Sequence, residues 1–103
     1  MTSVDVTINN EATGERWSLS NGLNGPASQL AFAIWDELMT GLAEGLGPVN
    51  VAQFSARLSG RLLTEVVART DLTGWAYRSS TDVDVLRTQV NPDTFYIVSY
   101  VES

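Results

Sequence analysis

Alternating hydrophobic and polar positions near the start of the chain predict a β-hairpin. Apolar side chains occupy every second position in two short segments, and a polar turn that contains Gly14 separates them. Period-two alternation is typical of a strand with one buried face. The apolar positions of the two predicted strands are Val4, Val6, Ile8, Trp17 and Leu19. We expect these side chains to share the buried face of the hairpin.

The stretch from Pro26 to Thr70 predicts a helical hairpin that bends at residues 45–48. Pro26 suits the first turn of a helix, and the pattern stays helical to about Glu44. The apolar side chains of this first helix cover an arc of about 200°, whereas an ordinary surface helix needs roughly 100°. So wide an arc predicts contact with a second helix, another subunit or a partner, as well as with a sheet.

The second predicted helix spans residues 50–69. Asn50 stands in the capping position, and the apolar stripe consists of Val51, Phe54, Leu58, Leu62 and Val66. Small residues at four-residue spacing, Ala52, Ala56 and Gly60, form a ridge on which we expect the first helix to pack. The outer ridge carries Arg57, Arg61, Glu65 and Arg69. That outer ridge is either a solvated face or a site for an anion or an acidic partner.

The C-terminal third predicts further strands. Residues 82–90 suit a short helix or a strand, and we favour a strand because the turn-forming residues 91–94 follow. Residues 95–101 form the clearest strand of the chain. The order of elements indicates a single α+β domain, residues 1–103, of ββααββ order. An antiparallel sheet of four to five strands is expected, with the two-helix hairpin inserted between the N-terminal β-hairpin and the C-terminal strands.

The last predicted strand is apolar on both faces, and this suggests a binding surface. One face carries Phe95, Ile97 and Val101, and the other carries Tyr96, Val98 and Tyr100. If both helices cover the first face, the second presents the two tyrosines to a partner, joined by Trp75 or Tyr77. If the helices cover both faces, the tyrosines belong to the core. The predicted partner-binding residues are Tyr96, Tyr100, Val98, Trp75, Tyr77, Arg57 and Arg61.

Composition narrows the chemistry that this chain can perform. Its 103 residues include no Cys and no His, and every basic residue is Arg, so thiol, imidazole and lysine chemistry are excluded. Neither a catalytic site, a cofactor site nor a metal site is predicted; Asp82 and Asp84 alone make a weak cation site. The net charge of −6 argues against direct binding of nucleic acid.

These observations together predict a small acidic interaction protein without catalytic activity, such as an inhibitor, an immunity protein, an adaptor or an assembly component. The partner is expected to be another protein, with a homodimer favoured by the surplus apolar surface, and the location cytoplasmic, away from membranes. Two alternatives stay open. One is a ligand-binding or minimal enzymatic domain whose pocket is lined by Trp17, Trp35 and Trp75. The other is an acidic mimic of nucleic acid that blocks a DNA-handling protein.

Overall fold

The fold alternates strands and helices in the order ββαββαβ. The computed structural model describes residues 3–22, 26–70 and 88–102. Its strands are β1 (Ser3–Asn10), β2 (Arg16–Gly22), β3 (Glu44–Gly45), β4 (Gln53–Ser59) and β5 (Phe95–Glu102), and its helices are α1 (Pro26–Met39) and α2 (Gly60–Arg69). The predicted α+β class with an antiparallel sheet is confirmed, and both helices fall between the N-terminal hairpin and the last strand.

All five strands form one antiparallel sheet in the order β2-β1-β5-β4-β3. The predicted N-terminal hairpin is confirmed as β1 and β2. Its turn is held by the side-chain oxygen of Asn10, which accepts from the backbone N–H of Ala12 at 2.9 Å and of Thr13 at 3.2 Å. Gly14 has a φ of 77°, a conformation that L side chains rarely adopt. The last strand in sequence, β5, therefore lies at the centre of the sheet.

The core lies between one face of the sheet and the two helices. Every second residue of β1, β4 and β5 is buried, and α1 and α2 contribute their apolar stripes to the same cluster. The larger buried side chains are Val4, Val6, Ile8, Leu30, Ile34, Phe54, Leu58, Leu63, Val66, Tyr96, Val98 and Tyr100. Because burial of apolar side chains contributes most of the folding free energy, this one cluster fixes which sheet face the helices cover.

The second helix is shorter than predicted, because residues 53–59 form strand β4 instead. Phe54 and Leu58 stand four residues apart, a spacing that puts two side chains on one face of a helix and also on one face of a strand. Ala56, between them, is fully buried, which fits the strand period of two. Asn50 caps no helix: its side-chain oxygen accepts from the N–H of Ala52 at 2.8 Å in the turn that precedes β4.

Ser59 is the last residue of β4 and the N-cap of α2. Its hydroxyl oxygen accepts from the backbone N–H of Leu62 at 3.1 Å, the N-capping bond that favours Ser at this position. The small-residue ridge predicted for a long second helix is therefore divided between a turn, a strand and a helix. Gly60 is the only member of that ridge within α2.

The first helix, α1, ends at Met39, earlier than predicted. Its buried stripe of Ala27, Leu30, Ala31 and Ile34 faces the sheet, while Phe32 and Met39 stay 44% and 60% exposed. The predicted wide apolar arc is thus only partly buried within the chain. An ion pair between the buried Glu37 carboxylate and the half-exposed Arg69 guanidinium joins α1 to the end of α2.

Candidate functional site: the open face of the sheet

The sheet has a second face, turned away from α1 and α2, which we call the open face. Along β1, β4 and β5 its members alternate with the buried core residues, so the same period that builds the core also determines this surface. The side chains on it are Ser3, Asp5, Thr7, Asn9, Arg16, Ser18, Glu44, Gln53, Ser55, Arg57, Phe95, Ile97, Ser99 and Val101. Within the described part of the chain, both helices lie on the opposite side.

Apolar side chains form a line along the middle of the open face. They come from the central strand β5, where Phe95 is 42% exposed, Val101 is 40% exposed and Ile97 is partly buried. The central strand thus carries a line of apolar side chains on this face, with polar residues on the strands at both sides.

Hydroxyl side chains cross the middle of the open face at right angles to the strands. The register pairs Ser18 with Thr7, Thr7 with Ser99, and Ser99 with Ser55. The hydroxyls of Ser55 and Ser99 are hydrogen-bonded to each other at 2.9 Å. This row separates Ile97 from Val101 and gives the face a flat, polar band that can donate and accept hydrogen bonds.

A charged cluster stands beside the apolar line. The Arg57 guanidinium donates to both carboxylate oxygens of Glu11, at 2.7 Å and 3.2 Å, and its central carbon lies 3.8 Å from the ring centroid of Phe95. The hydrogen bond from Arg57 lowers the pKa of the Glu11 carboxyl, and the same bond raises the pKa of Arg57. The bidentate bonds and the ring contact fix the direction of the Arg57 side chain.

A second cation, Arg16, occupies the far side of the open face. It lines a shallow depression of about 270 Å³ together with Thr7, Asn9, Ile97 and Ser99. Arg16 is exposed. Among the described residues it has no carboxylate within ion-pair distance. The two described arginines of the open face therefore differ: Arg57 is paired with Glu11, and Arg16 is paired with no described carboxylate.

Three of the predicted partner-binding residues lie in the core, and their assignment to an exposed surface is wrong. Tyr96, Val98 and Tyr100 are fully buried beneath the helices. The physical reason is that their face of β5 meets the apolar stripes of α1 and α2, so the alternative interpretation of these residues as core is the one that the structure supports.

Both buried tyrosines have partners for their hydroxyl groups. The Tyr96 oxygen accepts from the backbone N–H of Asn91 at 2.8 Å and from the side-chain amide of Asn10 at 3.3 Å. The Tyr100 hydroxyl donates to Glu102 at 3.3 Å. Burial raises the pKa of Tyr100, and the charge of Glu102 adds to the effect. Polar atoms that are satisfied inside the chain in this way are typical of structural tyrosines.

The other predicted partner-binding residues are separated. Arg57 belongs to the open face, whereas Arg61 is exposed on α2 on the helix side of the sheet, so the predicted ridge of basic residues is not continuous. Trp75 and Tyr77 lie outside the described residues, as do Asp82 and Asp84. Trp17 and Trp35 pack on Tyr96 and Phe54 respectively, with ring centroids 6.1 Å and 5.3 Å apart.

Sequence reasoning missed Phe95, Ile97 and Val101 as surface residues, although it placed them together on one face of the last strand. The alternation that groups them was visible in the sequence. The sequence did not show that both helices lie on the opposite face, because β5 is apolar on both sides.

A second depression, of about 400 Å³, lies on the helix side and is lined by Gln29, Phe32, Ala33, Asp36, Arg69 and Thr70. Thr70 is followed directly by residues 71–87, which lie outside the described residues. In the described ranges, His, Cys, Asp and Glu side chains form no group of three that could hold a metal ion. None of the helices described here has the length and apolar character needed to span a membrane.

Comparisons with protein-family models, with curated proteins and with solved structures gave no match for this chain.

Proposed function

We propose that this chain is a small protein-interaction module without catalytic activity, and that it binds its partner on the open face. The observation that carries the proposal is the apolar line at the centre of the sheet, in which Phe95 and Val101 are exposed and Ile97 is partly buried. Exposed apolar side chains at a centre, with polar and charged groups around them, match the anatomy of protein interfaces.

The surrounding groups support the same function. The Arg57 side chain contacts both the Glu11 carboxylate and the Phe95 ring, and these contacts restrict the conformations open to all three side chains. Ordering in advance reduces the entropy that binding costs. The hydroxyl row and Arg16, which pairs with no carboxylate of the described residues, supply directional contacts beside the apolar line. Absence of Cys, His and Lys from the whole sequence agrees with binding rather than catalysis.

The test compares variants of the tagged protein as bait in a lysate of its source. Ile97→Arg and Val101→Arg place a charge in the apolar line, and Phe32→Arg is the matched control, since Phe32 is similarly exposed on α1. Circular dichroism and urea unfolding establish that each variant is folded. We expect proteins captured by the parent chain and by the control to be lost with both open-face variants. Capture that survives both open-face changes but is lost with Phe32→Arg would overturn the proposal.

A further inference from the structure

We propose that the open face binds a second copy of this chain, related to the first by a two-fold axis that runs along β5. This inference rests on the proposed function, because it names the partner for the same surface. Its basis is the cross-strand register, which arranges the open-face side chains in rows across the sheet. When a second copy is related to the first by this axis, the cation at one end of a row faces the anion at the other end of the same row in the second copy.

The decisive row crosses all five strands through Ile97. The register pairs Arg16 with Asn9, Asn9 with Ile97, Ile97 with Arg57, and Arg57 with Glu44. Arg16 and Glu44 therefore stand at the two ends of one row, each two strands away from β5. A cation and an anion at equal distances on either side of the central strand are the condition for mutual pairing under a two-fold axis along that strand.

Rotation about this axis brings compatible groups together along the whole row. Arg16 of each copy comes over Glu44 of the other, so the dimer gains this charge pair twice. Ile97 comes over its own symmetry mate, and so do the other apolar residues of β5, Phe95 and Val101. Two sheets with the same right-handed twist keep a constant separation under such a rotation, and facing sheets pack about 10 Å apart.

Both members of the proposed charge pair are available for it. Arg16 has no ion-pair partner among the residues described. The Glu44 side chain is 66% exposed and lies 3.9 Å from Arg57, at the limit of an ion pair, whereas Glu11 is 2.7 Å from the same guanidinium. Glu11 is thus the principal partner of Arg57, and no other cation among the described residues pairs with the Glu44 carboxylate.

Two other two-fold axes give a poorer match than the proposed one. A two-fold axis between β1 and β5 would bring Arg16 over Arg57 and Asp5 over Val101, opposing like charges and burying a carboxylate on an apolar side chain. An axis at right angles to the strands, through the hydroxyl row, would place each strand over the same strand of the other copy. Arg16 and Glu44 would then stay at opposite edges of the dimer. Neither arrangement forms the Arg16–Glu44 pair.

The size of the face sets the expected strength of the dimer. Four strands about 4.8 Å apart and roughly 20 Å long, together with the two-residue strand β3, give an interface of about 400 Å² per copy, which is in the range of weak, transient association. Dissociation constants in the micromolar to millimolar range follow for so small and polar a surface. The dimer should therefore form and dissociate with concentration.

The first experiment measures molar mass by sedimentation and light scattering between about 10 µM and about 1 mM, a range that brackets so small an interface. We expect the mass to rise from the 11.2 kDa of one chain towards twice that value. We expect Arg16→Glu alone and Glu44→Arg alone to raise the dissociation constant about fivefold or more, because each places like charges opposite each other twice. The double variant Arg16→Glu/Glu44→Arg should return the dissociation constant to that of the parent chain.

Contacts within a single chain cannot explain why the double variant recovers dimer formation. The two residues lie on the outermost strands, four strand spacings or about 19 Å apart, too far for direct contact. A cross-linking test uses the lack of native cysteines: Arg16→Cys and Glu44→Cys proteins, mixed with a short bismaleimide, should link to each other and neither to itself.

A monomer at all concentrations, or a double variant as weak as the single ones, overturns the inference. If the purified protein is monomeric while lysate capture still depends on Ile97 and Val101, the open face binds a different protein and only the second-copy inference fails. If neither association responds to open-face changes, the proposed function fails as well.

Discussion

Replacing Gly60 with alanine should destabilise this fold, although the same change in most helices stabilises it. Gly60 is the first residue of α2, is buried, and donates its backbone N–H to the carbonyl of Thr94 at 2.7 Å. A Cβ at this position would overlap the carbonyl oxygen of Asn91 and would lie 3.1 Å from the Cα of Pro92. These are backbone atoms, so no change of rotamer can make room. The turn at residues 91–94 must move.

The expected magnitude combines a loss from overpacking with the loss of a hydrogen bond. Overpacking a buried position costs about 1–3 kcal/mol, and the bond from Gly60 to Thr94 contributes about 1 kcal/mol. Against these, the better helix propensity of alanine returns less than about 1 kcal/mol. The net loss is about 1–3 kcal/mol in the free energy of unfolding, which lowers Tm by roughly 5–20 °C for a chain of this size.

Urea unfolding followed by far-UV circular dichroism measures the difference. The control is Arg61→Ala, since Arg61 is the next residue in α2 but is exposed, and its change should stay within about 0.5 kcal/mol. Stability of Gly60→Ala equal to or greater than that of the parent chain would refute the reasoning, because it would mean that the backbone of Asn91 does not lie against this glycine.

Other changes test the core and the charge pairs. Leu30→Ala empties a fully buried position and should cost about 2–5 kcal/mol by urea unfolding. Arg69→Ala leaves the buried Glu37 carboxylate unpaired and should cost about 1–3 kcal/mol, while the double variant with Glu37→Leu should recover most of the loss. Because the bond to Arg57 lowers the pKa of Glu11, the pair stabilises the fold at neutral pH and ceases to do so as pH falls through that lowered pKa. The parent chain should therefore be more stable than Glu11→Gln at pH 7. The urea midpoints of the two proteins should converge in strong acid, and likewise in high salt.

The N-terminal hairpin and the last strand could be predicted from the sequence because their patterns have only one solution. Val4, Val6 and Ile8 alternate with polar residues and match the period of a strand alone. The turn at 91–94, with Pro92 inside it, sets the start of β5. Where the alternation of apolar residues and the turn-forming residues indicate the same element, the local sequence is sufficient to predict that element.

Strand β4 could not be predicted in the same way, since its large apolar residues satisfy both periods. Phe54 and Leu58 at a spacing of four belong to one face of a helix or of a strand, and Leu62 continues the same spacing into α2. Only Ala56 separates the two possibilities, and alanine itself favours helices. Pairing of β4 with β5, a contact between distant parts of the sequence, decides the outcome.

The candidate site was hidden for a related reason: β5 is apolar on both faces, and nothing local says which face the helices cover. A shift of one residue in the register of β5 would exchange the core tyrosines with the apolar line of the open face. The register is held at the start of the strand, where the Glu11 N–H donates to the Phe95 carbonyl and the Tyr96 oxygen accepts from Asn91. The turn that contains Asn91 packs directly against Gly60. Contacts around one small residue on the helix side thus help to hold the register that places side chains of β5 on the open face. The Gly60 substitution should consequently weaken association through the open face even where the chain stays folded, because it disturbs the register on which that surface depends.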